Sequence, residues 1–303
     1  MKNADVSLEM ENGKPMSKGS AGFTLILVTV LWGVSYPLMH MVVISGISPN
    51  FMVLIRGFIH LVSCLFFFRK SIAVMSIKAW KTGLLIAFFF FGGNLFQSMG
   101  ILYTTPSRNA FISVTYVVIT PFITRLFFRE KLPKKVLFSV PCSIFGMAIL
   151  TDVLNNPGAF NRGDLYTLIC AFFYAAMLAW IFHKQGDITY KALSFCMALV
   201  QTVGAFFIIA VTQDGGYRSS NMPATLIILL FLGFFGSFLG SSAQVKAQKY
   251  VSATSAALLL AMEGVFSGVF SVLFGIERFS TSLIFGGLLI VLAVIVMEVT
   301  IDC

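Results

Sequence analysis

Charge is what this 303-residue chain has least of. Asp, Glu, Lys and Arg together make up 11% of it, with twelve acids and three histidines, whereas 58% is hydrophobic and Phe alone occurs 33 times. No soluble domain of this length needs that much apolar mass to fill a core, so composition excludes a soluble globular protein and leaves an integral membrane protein. The few acids and histidines are scattered. A membrane-embedded enzyme acting on a lipid or prenyl substrate needs them clustered for metal or acid–base work, which argues against that class. The five cysteines, Cys64, Cys142, Cys170, Cys196 and Cys303, are odd in number and unpaired in spacing. They imply neither a disulfide framework nor a metal site. No GxxxxGKS/T loop occurs, so ATP drive within the chain is not expected, nor is any cofactor. The net charge of +9 comes without a basic patch interleaved with aromatics, so no nucleic-acid partner is expected either.

What is present is a series of apolar runs of about membrane-spanning length separated by short polar loops. Ten can be placed, at 21–44, 49–68, 83–103, 109–128, 135–151, 165–183, 189–211, 223–245, 252–275 and 280–299. The expected fold is therefore an all-α integral membrane protein of ten transmembrane helices. Fifteen Lys and Arg fall in the N-terminal stretch and in the loops after even-numbered runs, against four (Arg108, Arg162, Arg218, Arg278) on the other face. The positive-inside rule then puts both termini in the cytoplasm of a cell inner (plasma) membrane. Residues 1–20 lack the basic-then-apolar design of a cleaved signal peptide and are expected to form a flexible cytoplasmic tail.

The chain also repeats itself. FFREKL around Glu130 closes the fourth run and FGIERF around Glu277 closes the ninth, 147 positions later, each followed by one more run. Two units follow: residues 21–151 and 165–303, joined by a connecting loop at 152–164 that holds Pro157 and Gly158. Because five is odd, the second unit enters the bilayer inverted. Inverted five-helix repeats are a signature of secondary transporters, with the substrate site near mid-membrane.

Glu263 is the ionisable residue in the middle of the ninth run. A carboxylate at that depth is expensive and marks a functional site. It can be a neutral, hydrogen-bonded structural acid, bind a substrate ammonium, or carry a proton, giving proton coupling, and the sequence leaves all three open. Asn94 and Gln97 on the third run, and Asn109, Ser113 and Tyr116 on the fourth, put polar groups on faces that must point inward. Trp32 and Tyr36 on the first run and Tyr174 on the sixth lie too deep for interfacial anchors and are either core packing or the aromatic wall of a pocket; the hydroxyls of Tyr36 and Tyr174 need partners, which favours the wall for those two. Gly233, Gly236, Ser237, Gly240, Ser241 and Gln244 form a small, polar stripe on the eighth run, either a packing seam or a cavity wall. Arg56, His40 and His60 are expected to be structural. Glu130 and Glu277 are expected to form boundary ion pairs with Arg129 and Arg278.

Four stretches resemble the EamA branch of the drug/metabolite transporter superfamily: LWGVSYPL (31–38), GILYTTPSRNAFISVTYVVITP (100–121), GDLYTLICAFFYA (163–175) and AMEGVFSGVFSVLFGIERF (261–279). They fall in order through both halves. The resemblance implies ten helices in two inverted repeats and a central cavity lined mainly by helices one, three, four, six, eight and nine. It further implies alternating access, and export of amino acids or related small metabolites across the lipid bilayer. Proton-coupled uptake of a zwitterionic or cationic metabolite is the alternative. One departure stands out: the family's Glu-Pro pair in helix nine is here Glu263-Gly264, so a proline-imposed bend is not expected at that point.

Overall fold

A computed structural model describes residues 16–132, 134–184, 186–214, 216–251, 256 and 259–298. The first fifteen residues of the expected tail, and Cys303, lie outside them; Lys18, Gly19 and Ser20 already belong to the first helix.

The described residues form ten apolar helices: α1 Lys18–Ile44, α2 Pro49–Phe67, α3 Ile77–Ile101, α4 Pro106–Phe128, α5 Val136–Leu150, α6 Arg162–Lys184, α7 Tyr190–Thr212, α8 Met222–Ala247, α9 Leu259–Leu273 and α10 Thr281–Glu298. Seven are long and apolar enough to cross a membrane, and α5, α9 and α10 are shorter apolar helices. Their starts are written in hydroxyls and amides. Ser17, Ser48, Ser76, Thr105, Thr189 and Asn221 each accept a backbone N–H of the first turn, and Pro49 and Pro106 take positions where a missing N–H costs nothing. At α6 the cap is reciprocal: the Asn161 side chain accepts from Gly163 and Asp164 N–H, and Asp164 accepts the Asn161 N–H at 2.9 Å. The Ser76 cap starts α3 six residues before the apolar run at 83. Hydropathy marks the lipid slab, and this helix continues past it through Lys78 and Lys81.

The packing has the two-fold pattern of an inverted repeat. α1 lies against α8 and α9, as α6 lies against α3 and α4; α2 meets α8, as α7 meets α3; and α2 with α7, α4 with α9 and α5 with α10 pair across the pseudo-axis. The α5–α10 seam joins residues that are themselves 147 apart, with Cys142 Sγ donating to the Leu289 carbonyl at 3.4 Å. Helices approach closely where side chains vanish: a Cβ on Gly33 of α1 would sit 2.3 Å from Phe266 Cβ of α9. Outward-facing Phe23, Leu27, Phe66, Leu126, Phe207, Ile227 and Leu288 present an apolar belt suited to lipid.

Three helices lose regularity near mid-membrane. α4 breaks between its segments Pro106–Ser113 and Tyr116–Phe128, and α9 breaks at Met262, just before its segment Glu263–Leu273. Tyr116 and Glu263, the first residues after the breaks, are again 147 apart. α8 widens into a π-helix over Leu232–Gly240, an arrangement common at functional sites. Thus α9 is interrupted without a proline.

Odd-numbered helices run from an end rich in Lys and Arg, here the basic end, to a far end. At the far end the loop after α1 is clasped to the loop after α7. Ile47 bridges Tyr217, Ser48 N–H donates to Gly216 O (2.6 Å) and Ser220 N–H to Ser45 O (2.8 Å). Gly46 makes this possible, with φ +110° and room for no Cβ, since one would stand 2.7 Å from the Arg218 carbonyl.

Candidate functional site

A cavity lies between the repeats, lined from α1, α2, α3, α4, α6, α8 and α9. The helix irregularities converge on it. Glu263 enters from the first turn after the α9 break, Tyr116 from the equivalent turn of α4, and Gly236 and Ser237 from the π-segment of α8.

Polar side chains on its wall form a directed chain. Tyr174 Oη donates to Gln97 Oε1 (3.3 Å), Gln97 Nε2 donates to Tyr36 Oη (2.9 Å), and Tyr36 Oη lies 2.8 Å from Ser113 Oγ. Ser113 Oγ donates its own proton to the Ala110 carbonyl (2.8 Å), so Tyr36 is the donor in the Tyr36–Ser113 contact. The Glu263 carboxyl, itself buried, sits beside the same Tyr36 hydroxyl. One tyrosine proton therefore has two acceptors to choose between. Trp32 Nε1 donates to the Gly236 carbonyl at 3.0 Å, fastening α1 to the widened turn of α8. Asn94 commits its amide N–H to the Phe90 carbonyl (3.0 Å).

Of the residues singled out from the sequence, Glu263, Tyr116, Asn94, Gln97, Trp32, Tyr36, Tyr174, Ser237 and Gln244 come together on this wall. Asn109 and Ser113 do not reach it. Asn109 Nδ2 donates to Thr167 Oγ1 (2.8 Å) and to the Gln97 carbonyl (3.2 Å), pinning α4 to α6 and α3 behind the wall, and Ser113 supports Tyr36 from outside. The cause is local: around the α4 break the backbone closes i→i+3 bonds, Thr115 to Ile112 and Val117 to Val114. Residues before the break therefore do not share a continuous 3.6-residue face with Tyr116. The stripe on α8 divides: Gly233 packs on Ile59, and Gly240 on Trp32, while Gly236, Ser237, Ser241 and Gln244 face the cavity.

Arg56, read as structural, lies on the cavity wall, seven residues into α2 and thus about 10 Å along it. One expectation is corrected: the boundary pairs differ. Glu130 meets His183 of α6 (Nε2–Oε1 2.9 Å), and Glu277 accepts the Ser107 hydroxyl and its N–H at the start of α4. Neighbours at i and i+1, such as Glu277 and Arg278, point different ways around a chain and rarely face each other.

The EamA-like transporter family model matches residues 19–152 and 161–299. The chain belongs to the EamA-like transporter family. A curated relative from Archaeoglobus fulgidus, described as an uncharacterized transporter, is 32% identical over 283 residues, covering 92% of this chain and 85% of the relative. A solved crystal structure with 17% identity superposes with a TM-score of 0.57 over 91% of this chain and 94% of its own, a likeness of fold. This EamA-like protein is accordingly a multi-pass membrane transporter with a small-molecule substrate and a lipid environment. Beyond the helices that the resemblance implied, α2 adds Arg56, and Met39, Phe90, Met177 and Leu178 add apolar wall that an inventory of polar faces misses. A cation at that depth was the one available signal for Arg56.

Proposed function

We propose that this chain is a secondary transporter that exports amino acids or related small metabolites from a prokaryotic cell. Its two repeats alternate access around the mid-membrane cavity, with no covalent chemistry on the substrate. The observation that supports this most is the cavity's position: polar groups from both repeats meet at the pseudo-two-fold axis, where three helices are interrupted. The distribution of Lys and Arg favours the basic end as cytoplasmic, with both termini there, and the far end as external. Counterflow of labelled amino acids in proteoliposomes tests the reading. Exchange that depends on the protein supports it, and exchange of no metabolite class in active preparations contradicts it.

A second reading, proton-coupled uptake, is favoured by one arrangement. The Glu263 carboxyl and Ser113 share access to the Tyr36 proton, a geometry suited to loading and unloading an acid. An imposed pH gradient that drives flux in the wild type but not in Glu263→Gln supports it; identical flux in both removes it.

A further inference from the structure

Arg56 is buried, yet among the described residues nothing ionised answers it. Among the described residues the ion pairs are Lys78–Asp187, Arg108–Asp164 and His183–Glu130, and neither Arg56 nor Glu263 belongs to one. The Arg56 Nε has no hydrogen-bond partner, and Nη1 points at the Met39 thioether, 2.9 Å away, a weak acceptor. A guanidinium is always charged, presents a planar fork of five donors and binds carboxylates bidentately. A membrane protein that keeps such a fork buried, on a cavity wall and answered by a thioether, leaves a site for an anion from elsewhere. On the same wall, without a described cation, stands Glu263, and the aromatic rings of Tyr36, Tyr116 and Tyr174 line the same cavity. Carboxylate plus aromatic faces is the chemistry that holds an ammonium group. No described ion pair joins the two side chains, so the cavity wall holds a cation and an acid that a ligand can answer separately. On the same cavity wall Met39, Phe90, Met177 and Leu178 supply apolar surface.

We propose that the cavity is a dipolar site for a small zwitterion with an apolar side chain, Arg56 taking its carboxylate and Glu263 its ammonium. This rests on the transporter reading above and narrows it. A free monocarboxylate or a simple amine satisfies one pole and leaves the other buried and unanswered, which disfavours both against the zwitterion. The unpartnered Ser237 Oγ on α8 adds one more polar contact on the same wall.

The test is counterflow in proteoliposomes with L-leucine, L-methionine and L-phenylalanine as probes. Competition is by L-leucinamide, which lacks the carboxylate, and by N-acetyl-L-leucine, which lacks the ammonium. Putrescine and a neutral sugar serve as probes of other classes. Wild-type protein should exchange at least one of the three amino acids, and each blocked analogue should compete poorly. Arg56→Gln should lose affinity for the amino acid by about thirtyfold or more, the scale expected when one partner of a buried charge pair is removed, while its weak response to leucinamide stays as it was. Glu263→Gln should show the converse, with N-acetyl-leucine no longer discriminated against. Arg56→Lys, which keeps the charge but not the fork, should fall between, and its gel-filtration and melting profiles separate a lost anchor from a lost fold. Amino-acid exchange by Arg56→Gln at wild-type affinity overturns the proposal. So does wild-type exchange of putrescine or sugar without any amino acid, which leaves the transporter reading standing. Exchange of no probe class at all overturns both.

Discussion

The two ends of the bundle are fastened by different contacts. At the far end, Asp164 is fully buried at the start of α6, where it caps its own helix, accepts Thr104 Oγ1 at 3.1 Å and takes Arg108 of α4 through Nε at 2.7 Å and through a second, shorter Nη2 contact. Glu277 ties α9 to Ser107, and the Gly46 turn clasps the loop after α1 to the loop after α7. At the basic end the described ion pairs between the repeats are Lys78–Asp187 and Glu130–His183, with Lys78 73% and Glu130 54% exposed, beside a ring stack of Phe128 on His183. Exposed pairs contribute about 0–1 kcal/mol and weaken in salt, whereas removing one partner of a buried pair costs about 3–5 kcal/mol. The difference implies that the ion pairs between the repeats hold more strongly at the far end, so we infer that the far side is the one that stays closed when the basic side opens.

The strongest way to break that asymmetry is Asp164→Ala. It leaves Arg108 partly buried without its carboxylate and uncaps α6, so apparent stability in detergent should fall by about 3 kcal/mol or more. Next comes Gly46→Ala, which forces a side chain into φ +110° and against the Arg218 carbonyl; a loss of about 1–3 kcal/mol in the same unfolding assay is expected. Lys78→Ala, at the opposite end, should change stability by no more than about 1 kcal/mol, and the change should shrink further at high salt. A cost equal to that of Asp164→Ala would erase the comparison.

The smallest effect is with pH. Asp214, just beyond α7, is pushed up by burial, but hydrogen bonds from Ser48, from the Gly216 N–H and from Asn50 Nδ2 (3.0 Å) outweigh this and hold its carboxyl below the ordinary range. A depressed folded value means the carboxylate stabilises the clasp above the unfolded value of about 3.9 and stops doing so as pH falls through the folded value. Asp214→Asn should therefore flatten the acid limb of a melting-temperature profile below about pH 4 and leave neutral pH nearly unchanged.

Much of this was legible in composition and spacing, because lipid leaves a chain few options: apolar runs of fixed length, charges confined to loops, polar groups turned inward. Glu263 and the tyrosine–amide chain could be singled out on cost alone. The breaks at Val114–Thr115 and Met262 could not, since no proline sits at either point, and with them went the displacement of Asn109 and Ser113 behind the wall. The far-end lock was equally hidden. Arg108 and Asp164 are 56 residues apart and belong to opposite repeats. Only the folded pairing of α4 with α6 brings them together, whereas Glu277–Arg278 looked like a pair merely because the residues are adjacent.

The most direct test of a cavity locked on one side is the labelling of a single cysteine placed at Ser237, on the cavity wall, in a background where the native cysteines are replaced. With a membrane-impermeant maleimide, the account predicts faster labelling from the basic face than from the far face, and a rise in the far-face rate when Asp164→Asn loosens the lock. Equal rates from the two faces, or a far-face rate unmoved by Asp164→Asn in folded protein, would contradict it.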